Sequence, residues 1–589
     1  MTNAMSGDLF GSAEPIAAID ITMELPDGFR QDDDIDTKIA TLKAKIKEYL
    51  ANGWALFQAY SGGKDSSVQL ALTMEALKEY ISEHGRDNCP VLSVIHSNTL
   101  LENPEIDKHT LAEIQRIRDY AAANNLPVEV DIAIPSMSEN YIVNILGGRT
   151  IASVAATSSR KCAKMMKVEP LKRLKKKILK RLHNNYGEKV LTLVGKRYDE
   201  SDARRADMIK YGEVPHQHIT RGDEKVLSSI AHFTQDDIFW VIGMVRSEML
   251  DTYSDFSSLV ETYRAANGGE CMVNALDGKA GSAGCGARYG CWICLQNATD
   301  KSMETMLEED QFDYMRYLWA FRNYLQAYHN DPTKRSWLAR KLEDDGSIKL
   351  QPNAYSPAFA EELLRMALSI QKLEDQRAAS EGIPPRFQII SFEEVIAVQV
   401  LWARYGFNDC LQALRVWKDV VQDGQLTLPP LDQEQLPEFP LLNDFPDVSV
   451  PFADTSYDDE FNGLRDLQAA AAGIETVIEK SGGRQYMHVP TDVEFKVNHE
   501  ELQTFLDLEL DWALEQYNQP MYKPAAGLDY LFRLGVVSIY KGSHSDYDRM
   551  LKMGAQIRRH RLQDILHDPE AIVAQLGHAD QTFKLGRLI

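Results

Sequence analysis

The sequence lacks several features that would indicate a membrane or secreted protein. No apolar run approaches the roughly 18 residues of a membrane span. The opening segment, MTNAMSGDLFGSAEP, has neither the basic end nor the apolar core of a signal peptide. Cysteine is scarce, with 7 among 589 residues, and this odd, unevenly spread set does not suit a disulfide framework. We therefore expect a cytoplasmic protein with no membrane partner.

Positive charge is also in short supply. The chain has 64 Lys and Arg against 87 Asp and Glu, a formal net charge of −23, so contact with nucleic acid needs a local basic patch. Residues 160–181 supply one, with eleven Lys and Arg and a single acid. A solvated amphipathic helix explains the same run and is compatible with it. Its inward residues are Leu171, Leu174, Ile178 and Leu182.

Apolar runs alternate with helical patterns in the first 245 residues. The runs at 54–60, 91–95, 128–134 and 189–195 have the length and composition of buried strands. Apolar residues recur at helical spacing over 70–81 and 105–125. This alternation predicts an α/β fold with a doubly wound parallel sheet, which binds ligands at the carboxyl ends of its strands.

Composition divides the chain into six segments. They are an acidic tail (1–36), the α/β domain (37–245), a cysteine region with helices (246–345), a helical region (346–426), a proline-rich acidic linker (427–489) and a helical C-terminal part (490–589). Helical patterns cover 305–342, 356–380 and 391–422, while strand signals fade. The part after the sheet is therefore expected to be mainly helical.

A glycine loop, SGGKDSS at 61–67, stands between the first strand and the first helix. Its two glycines allow backbone N–H groups to converge on an anion, the helix start adds partial positive charge, and Lys64 adds a full charge. The expected ligand is phosphate. The loop is not a Walker motif, because no second glycine stands four residues before a Gly-Lys pair.

This loop resembles the SGGxDS loop of the PP-loop ATP pyrophosphatases, which have an adenine nucleotide alpha hydrolase-like fold. These enzymes cleave ATP between the α and β phosphates and activate a substrate as its adenylate. The resemblance implies that ATP and magnesium are bound here, with Lys64 and Asp65 catalytic and Asp65 an indirect magnesium anchor. The implied ATP contacts are Ser61, Gly62, Gly63, Lys64, Asp65 and Ser66.

Two further segments resemble the phosphoadenosine phosphosulfate reductase branch of this group. They are RKCAKMMKVEPL at 160–171 and VGKRYDESDARR at 194–205. The resemblance implies that the wall of the nucleotide site includes Lys164, Lys167, Gly195, Arg197, Glu200, Ser201 and Arg204, with Arg197 and Glu200 catalytic. A charged helix face explains Arg204 equally well. The segment HSNTLLENPEI resembles the S-D-T-x-x-E-N-P segment of a sulfur-transfer member, with Asn98 where an acid is expected.

Four cysteines lie in a glycine-rich stretch, separated by 13, 5 and 2 residues: Cys271, Cys285, Cys291 and Cys294. Four thiolates suit a zinc ion or a four-iron four-sulfur (4Fe-4S) cluster, and unligated thiols are the third alternative. The family resemblance favours the iron–sulfur cluster.

The other cysteines are isolated. Cys162 stands alone where cluster-bearing reductases carry a pair, and it suits a fifth ligand, a persulfide carrier or a small buried residue. Cys89 and Cys410 lie in apolar segments and are expected in the core. No cysteine follows Cys410, so the mobile C-terminal nucleophile of sulfonucleotide reductases is missing.

Together these segments resemble the DndC family, the PP-loop components of bacterial DNA phosphorothioation systems. The resemblance implies an ATP-dependent sulfurtransferase that forms AMP and pyrophosphate and activates a backbone phosphate for replacement of oxygen by sulfur. The implied partners are DNA, met within a complex, a cysteine desulfurase and an SMC-like ATPase. Two alternatives stay open: a thiolation enzyme or reductase acting on tRNA or a small molecule, and a nucleotide-binding iron–sulfur redox sensor.

Overall fold

A computed structural model of the chain describes residues 33–154, 161–266, 290–442, 445, 447–452, 478–481, 484–487 and 489–577. The helices of these residues are α1 (Ile35–Ala51), α2 (Lys64–His84), α3 (Pro104–Ala123), α4 (Tyr141–Leu146), α5 (Lys161–Ala163), α6 (Glu169–Tyr186), α7 (Asp202–Tyr211), α8 (Gln235–Arg246), α9 (Ser257–Ala266), α10 (Lys301–Met306), α11 (Arg316–Ala327), α12 (Pro357–Glu381), α13 (Phe392–Tyr405), α14 (Gln412–Trp417), α15 (His499–Thr504), α16 (Leu510–Gln516), α17 (Pro524–Arg533), α18 (His544–Arg559) and α19 (Pro569–Leu576).

The strands of the same residues are β1 (Ala55–Tyr60), β2 (Leu92–Ser97), β3 (Val128–Ala133), β4 (Val190–Leu193), β5 (Ile219–Arg221), β6 (Glu224–Leu227), β7 (Arg335–Leu342), β8 (Ser347–Tyr355), β9 (Ser449–Pro451), β10 (Ile478–Ser481), β11 (Arg484–Met487), β12 (Thr491–Asp492), β13 (Lys496–Val497) and β14 (Val537–Tyr540).

The chain divides into two compact units. The first comprises Met1–Pro135, Ala163–Cys291 and Lys301–Glu308, and the second comprises Ser136–Cys162, Trp292–Asp300 and Glu309–Ile589.

The first unit is built on a six-stranded sheet with the order β3-β2-β1-β4-β6-β5. Every neighbouring pair is parallel except β5 and β6, which are antiparallel. The four strands predicted from apolar runs are β1 to β4, so the prediction of an α/β fold with a parallel sheet is confirmed, except that the edge strand β5 is antiparallel. The short strands β5 and β6 were not predicted, because β5 has no buried residue and β6 buries only Val226 and Leu227.

Helices cover both faces of this sheet. On one face α1, α2, α3 and α8 bury their apolar sides against β1, β2 and β4, in one continuous core. On the other face α6 packs Leu171, Ile178 and Leu182 against Phe57 and Ile95. The predicted inward side of the basic helix is therefore confirmed. Burying each such side chain contributes about 1.5–3 kcal/mol relative to leaving it exposed.

The second unit departs from the sequence-based expectation. The prediction of a helix through residue 342 is wrong for residues 335–342, which form β7 and pair antiparallel with β8. The strand β8 alternates buried and half-buried residues over most of its length, but it contains Lys, Gln, Pro and Asn, which are poor strand formers. Helices α11 to α14 do provide a helical remainder, accompanied by two three-stranded sheets and the hairpin β10–β11.

In the ranges given above, no helix combines the length and the apolar character that crossing a bilayer requires.

Candidate functional site

The site lies where the strand order of the first sheet reverses. From β1 the chain proceeds outwards to β2 and β3, and it then returns to β4 on the other side of β1. Loops that leave the carboxyl ends of β1 and β4 therefore diverge, and such a switch point is where open α/β sheets bind ligands. The glycine loop follows β1, and Gly195 follows β4.

The glycine loop is held in shape by its own side chains. Gly62 has a φ of +74°, a left-handed conformation that glycine adopts without strain. The Ser61 and Ser66 hydroxyls are 2.9 Å apart, and the Ser66 Oγ donates to the Gly63 carbonyl at 3.0 Å. The backbone N–H of Gly63 donates to the Ser61 Oγ at 3.3 Å. These hydrogen bonds therefore define the conformation of the loop.

The first turn of α2 offers backbone donors. Gly63 is the N-cap residue of this 21-residue helix, and no side chain caps it. The first N–H groups of a helix have no acceptor within the helix and carry part of its positive dipole. This end of α2 is therefore suited to an anion.

Arg197 joins the second predicted segment to the glycine loop. Its Nε donates to the Asp65 Oδ1 at 2.5 Å, and Lys64 Nζ lies 3.3 Å from the other Asp65 oxygen. The Arg197 side chain is buried, yet its Nη1 has no hydrogen-bond partner among the described residues, with Asp199 Oδ2 at 3.7 Å. Buried polar atoms are normally hydrogen-bonded, so this nitrogen, which among these residues has only the long contact with Asp199, is able to donate to an anion near the glycine loop.

Gly195 allows β4 and α2 to approach closely. A Cβ atom at this position would lie 3.3 Å from the Gln69 Oε1 and 3.8 Å from the Asp65 carbonyl carbon. A side chain here would therefore press on the first turns of α2. The structure brings together Gly195, Arg197 and residues 61–66, as the family resemblance implied.

Three other predicted residues lie at the start of α7. Ser201 is the N-cap, and its Oγ accepts from the Arg204 backbone N–H at 3.3 Å. Arg204 Nε is 3.4 Å from a Glu200 carboxylate oxygen, and both side chains are partly exposed. In these contacts Ser201 caps the helix and Glu200 pairs with Arg204. The structure gives Glu200 no contact with the glycine loop.

Lys164 and Lys167 lie in a π-helical turn, Lys164–Val168, that precedes α6, and both are exposed. Burial lowers the pKa of His96, and the charge of Lys167 lowers it further. His96 lies in β2 near its carboxyl end and donates from Nδ1 to the Tyr60 carbonyl at 3.0 Å. Lys167 therefore lies near the same edge of the sheet as the glycine loop.

Two residues of α3 support the loop and were missed in the sequence. A Cβ atom on Gly62 would lie 2.6 Å from the Thr110 Oγ1. Burial lowers the pKa of His109 to about 4, and its Nδ1 lies 2.8 Å from the Ser258 Oγ. The Gly62 backbone lies beside the same ring. Helical spacing marked this part of α3 only as helix, so nothing in the sequence indicated contact with residue 62.

The predicted cysteine ligands are only partly described. Cys271 and Cys285 lie outside the described residues, whereas Cys291 and Cys294 are both half-buried. The part of the chain that the structure describes contains no group of three or more metal-ligating side chains. The buried Arg322 donates to the backbone carbonyls of Cys294, Asn297 and Ala298, which fixes the chain after the second cysteine.

The remaining cysteines differ in environment. Cys89 and Cys410 are 6% and 1% exposed, which confirms that they belong to the core. Burial raises the pKa of Cys89 to about 11 and that of Cys410 to about 12, so both stay protonated thiols at neutral pH. Cys162 is half-buried and therefore more accessible than either of them.

The outer face of α6 carries the basic run. Lys172, Lys176 and Lys180 are spaced four residues apart and exposed, and none of them forms an ion pair within the described ranges. Lys175, by contrast, is buried and pairs with Glu224 at 2.7 Å. The two explanations of this run, an amphipathic helix and a basic surface, are therefore both supported.

Residues 55–219 match the family model of the phosphoadenosine phosphosulfate reductase domain. The chain thus contains a reductase-like domain of this type, and its sheet and glycine loop are consistent with the PP-loop superfamily. The family includes enzymes that act on nucleotides, which suggests sulfur-transfer or sulfonucleotide-related chemistry. No curated protein matches the chain.

Proposed function

We propose that the chain is the ATP pyrophosphatase and sulfurtransferase component of a DNA phosphorothioation system, of the DndC type. The observation that carries this proposal is the buried Nη1 of Arg197, which makes no hydrogen bond among the described residues and has only Asp199 at 3.7 Å, beside a helix start that no side chain caps. Both features suit the pyrophosphate end of ATP.

The residues have separate tasks in this proposal. The N–H groups at the start of α2, together with Lys64 and Arg197, bind the β and γ phosphates and stabilise the charge that develops on departing pyrophosphate. A phosphate oxygen of the acceptor attacks the α phosphorus and pyrophosphate leaves. That oxygen then departs with AMP when sulfur takes its place on the acceptor.

Asp65 is the residue suited to magnesium. Magnesium usually takes one or two carboxylates together with substrate phosphates and keeps several waters. Asp65 stands in the first turn of α2, held by Lys64 and Arg197. It therefore fits an indirect contact, through water, with an ion that arrives on ATP.

The basic face of α6 is the proposed DNA-binding surface. Lysines neutralise backbone phosphates without reading sequence, which suits an enzyme whose acceptor is the backbone itself. The net charge of −23 argues that DNA is met within a complex. A cysteine desulfurase supplies the sulfur, and an SMC-like ATPase is a further subunit.

A 4Fe-4S cluster held by Cys271, Cys285, Cys291 and Cys294 completes the proposal. The half-burial of Cys291 and of Cys294 fits a ligand that is shielded from solvent but not enclosed. Cysteines at these positions would hold the cluster, which would supply a site that relays or receives sulfur, or would hold the loop. Brown protein after anaerobic purification supports this part, whereas stoichiometric zinc without iron contradicts it.

ATP turnover tests the enzymatic part. We expect steady formation of AMP and pyrophosphate, abolished in Lys64→Ala and retained in Lys78→Ala, a control on the same helix. Lys78 pairs with Asp251 and contacts no residue of the glycine loop. Binding of ATP without turnover in the presence of DNA and the desulfurase would favour the redox sensor instead.

The identity of the molecule that accepts sulfur is tested in the host cell. We expect deletion of the gene to abolish sulfur in the DNA backbone, and wild type, but not Lys64→Ala, to restore it. Backbone phosphorothioates that persist after deletion contradict the DNA proposal. Sulfur lost from tRNA or from a small molecule in the same strain would identify the thiolation enzyme.

DNA contact is tested by the salt dependence of binding. The triple change of Lys172, Lys176 and Lys180 to Gln should reduce the slope of log K against log salt by about 3, since each contact with duplex DNA contributes about 0.9. The control removes the same charge from exposed lysines elsewhere in the first unit: Lys108, Lys210 and Lys301. Equal slopes for the two triple variants contradict the proposed surface.

A further inference from the structure

The turn after β2 contacts Cys291. The Thr99 Oγ1 lies 3.8 Å from the Cys291 Sγ, and Glu102 and Cys291 form an isolated antiparallel bridge through their backbones. Both contacts fall within the first unit. Cys291, the first cysteine of the C-x-x-C pair, therefore contacts residues 99–102.

The same stretch of chain contacts the glycine loop at two points. Before the turn, His96 donates to the Tyr60 carbonyl, one residue ahead of Ser61. After it, α3 places Thr110 against Gly62, so closely that a Cβ on the glycine would lie 2.6 Å from the Thr110 hydroxyl oxygen. Residues 96–110 thus form one continuous connection between Cys291 and the nucleotide loop.

The turn is held in an uncommon backbone conformation. Leu100 has a φ of +65°, a left-handed value that is unfavourable for a leucine. The Asn98 side chain stabilises it by accepting from the Leu100 N–H at 2.7 Å and donating to Asp107 at 3.0 Å. Leu101 N–H donates to the Thr99 Oγ1 at 3.4 Å. Backbone strain of this kind persists only where the surrounding contacts hold it.

We propose that the turn Asn98–Glu102 couples the chemical state of Cys291 to the affinity of the glycine loop for nucleotide. The proposal rests on the function given above, because it takes ATP as the ligand of the loop. Modification or ligation of Cys291 changes its contact with the Thr99 hydroxyl, and the turn transmits this change through α3 to Thr110 and Gly62. Coupling is reciprocal, so bound nucleotide also changes the reactivity of the Cys291 thiol.

The test measures alkylation of Cys291 by iodoacetamide and peptide mass spectrometry, with and without α,β-methylene ATP, in the full chain freed of bound metal by a chelator, so that the thiol can react. We expect the nucleotide to change the Cys291 rate constant by at least about fivefold, the lower end of typical coupling. Thr99→Val keeps the shape of the side chain without its hydroxyl, and Leu100→Gly removes the strain. In both variants the Cys291 rate constants with and without nucleotide should be nearly equal. The control Thr220→Val, in the edge strand β5, should keep the change seen in wild type.

Binding of the analogue, measured by calorimetry in the same preparations, separates the outcomes. If the analogue binds and the Cys291 rate does not change, the coupling is refuted and the proposed function stands. If the rate changes equally in wild type, Thr99→Val and Leu100→Gly, the turn does not carry the coupling. If the analogue fails to bind wild type, the proposed function itself fails.

Discussion

Two buried arginines, one in each unit, show what distinguishes a ligand site from a structural contact. Arg197 and Arg322 are each 1% exposed. Arg322 donates to three backbone carbonyls and to the side chains of Asn323 and Gln326. Arg197 donates from Nε to Asp65, but its Nη1 has no hydrogen-bond partner in the described structure. Equal burial thus accompanies different hydrogen bonding: every nitrogen of Arg322 donates to a protein oxygen, whereas Arg197 Nη1 has, in the described part of the chain, only the ion-pair contact with Asp199 at 3.7 Å.

The largest expected effect is on Arg197. Arg197→Met should reduce AMP formation about 10²- to 10³-fold, the usual result of removing one donor that stabilises developing charge. The free energy of unfolding should fall by only part of the about 3–5 kcal/mol that removing one partner of a fully buried pair costs, because Asp65 is partly exposed and keeps Lys64 at 3.3 Å. Steady-state turnover and urea unfolding measure the two effects. A large loss of stability with normal turnover would show that Arg197 is structural.

Arg322→Met should give the opposite result. It leaves the carbonyls of Cys294, Asn297 and Ala298 without their donor, and we expect each buried carbonyl left unsatisfied to cost about 1–3 kcal/mol of unfolding free energy. The affinity of the remaining folded protein for ATP should be unchanged. Urea unfolding and calorimetry check these outcomes. If Arg322→Met has the unfolding free energy of wild type, the hydrogen bonds of the Arg322 guanidinium contribute little to stability.

A smaller effect is expected at Gly62. Gly62→Ala introduces left-handed strain of about 1–2 kcal/mol and places a Cβ against Thr110. Gly53→Ala is the matched control, because its φ of +75° is nearly the same and its surroundings are open, with Lys189 Nζ as the nearest atom at 4.0 Å. Unfolding free energies should fall in both variants, but only Gly62→Ala should also weaken ATP binding. Equal binding in the two variants would contradict a role for the loop.

An effect that is close to zero at pH 7 and grows as the pH falls concerns a buried group that is not charged. His232 is buried, neither ring nitrogen has a hydrogen-bond partner in the described ranges, and burial lowers its pKa to about 4. The unfolded chain binds this proton below pH 6.5, so stability falls as the pH drops from 6.5 towards 4. At pH 5 the expected loss is about 2 kcal/mol, and at pH 7 it is close to zero.

His232→Leu should therefore reduce the loss of stability between pH 7 and pH 5, measured by urea unfolding at both values. An unchanged pH dependence would show that His232 is protonated in the folded state. The contrast between Arg197, which is charged, and His232, which is taken to be neutral, would then not hold.

The sequence predicted the part of the fold in which local pattern and final environment agree. Buried parallel strands are continuous apolar runs, so β1 to β4 were found from composition, and α3 from its spacing. The pattern failed at β7, RSWLARKL, whose Arg, Leu, Ala and Lys favour helix. Its pairing with β8 also has register shifts, which break the alternation that marks a strand.

The candidate site likewise contains residues that a local sequence pattern indicates and residues that only the folded chain brings together. The residues 61–66 could be proposed as a phosphate site from sequence, because glycine and lysine at that spacing have a local meaning. The Asp65–Arg197 pair joins residues 132 apart in the chain, and the support of Gly62 by Thr110 depends on how α3 packs. Neither contact leaves a local pattern, so the family resemblance supplied Arg197 and nothing in the sequence supplied Thr110.

The most direct test of the nucleotide site is calorimetric titration with inorganic pyrophosphate, in competition with ATP, for wild type and Arg197→Met. The account predicts that pyrophosphate binds wild type, that it competes with ATP, and that both lose affinity when the Arg197 guanidinium is removed. Binding of ATP that pyrophosphate does not displace, with the same affinity in both proteins, would contradict it.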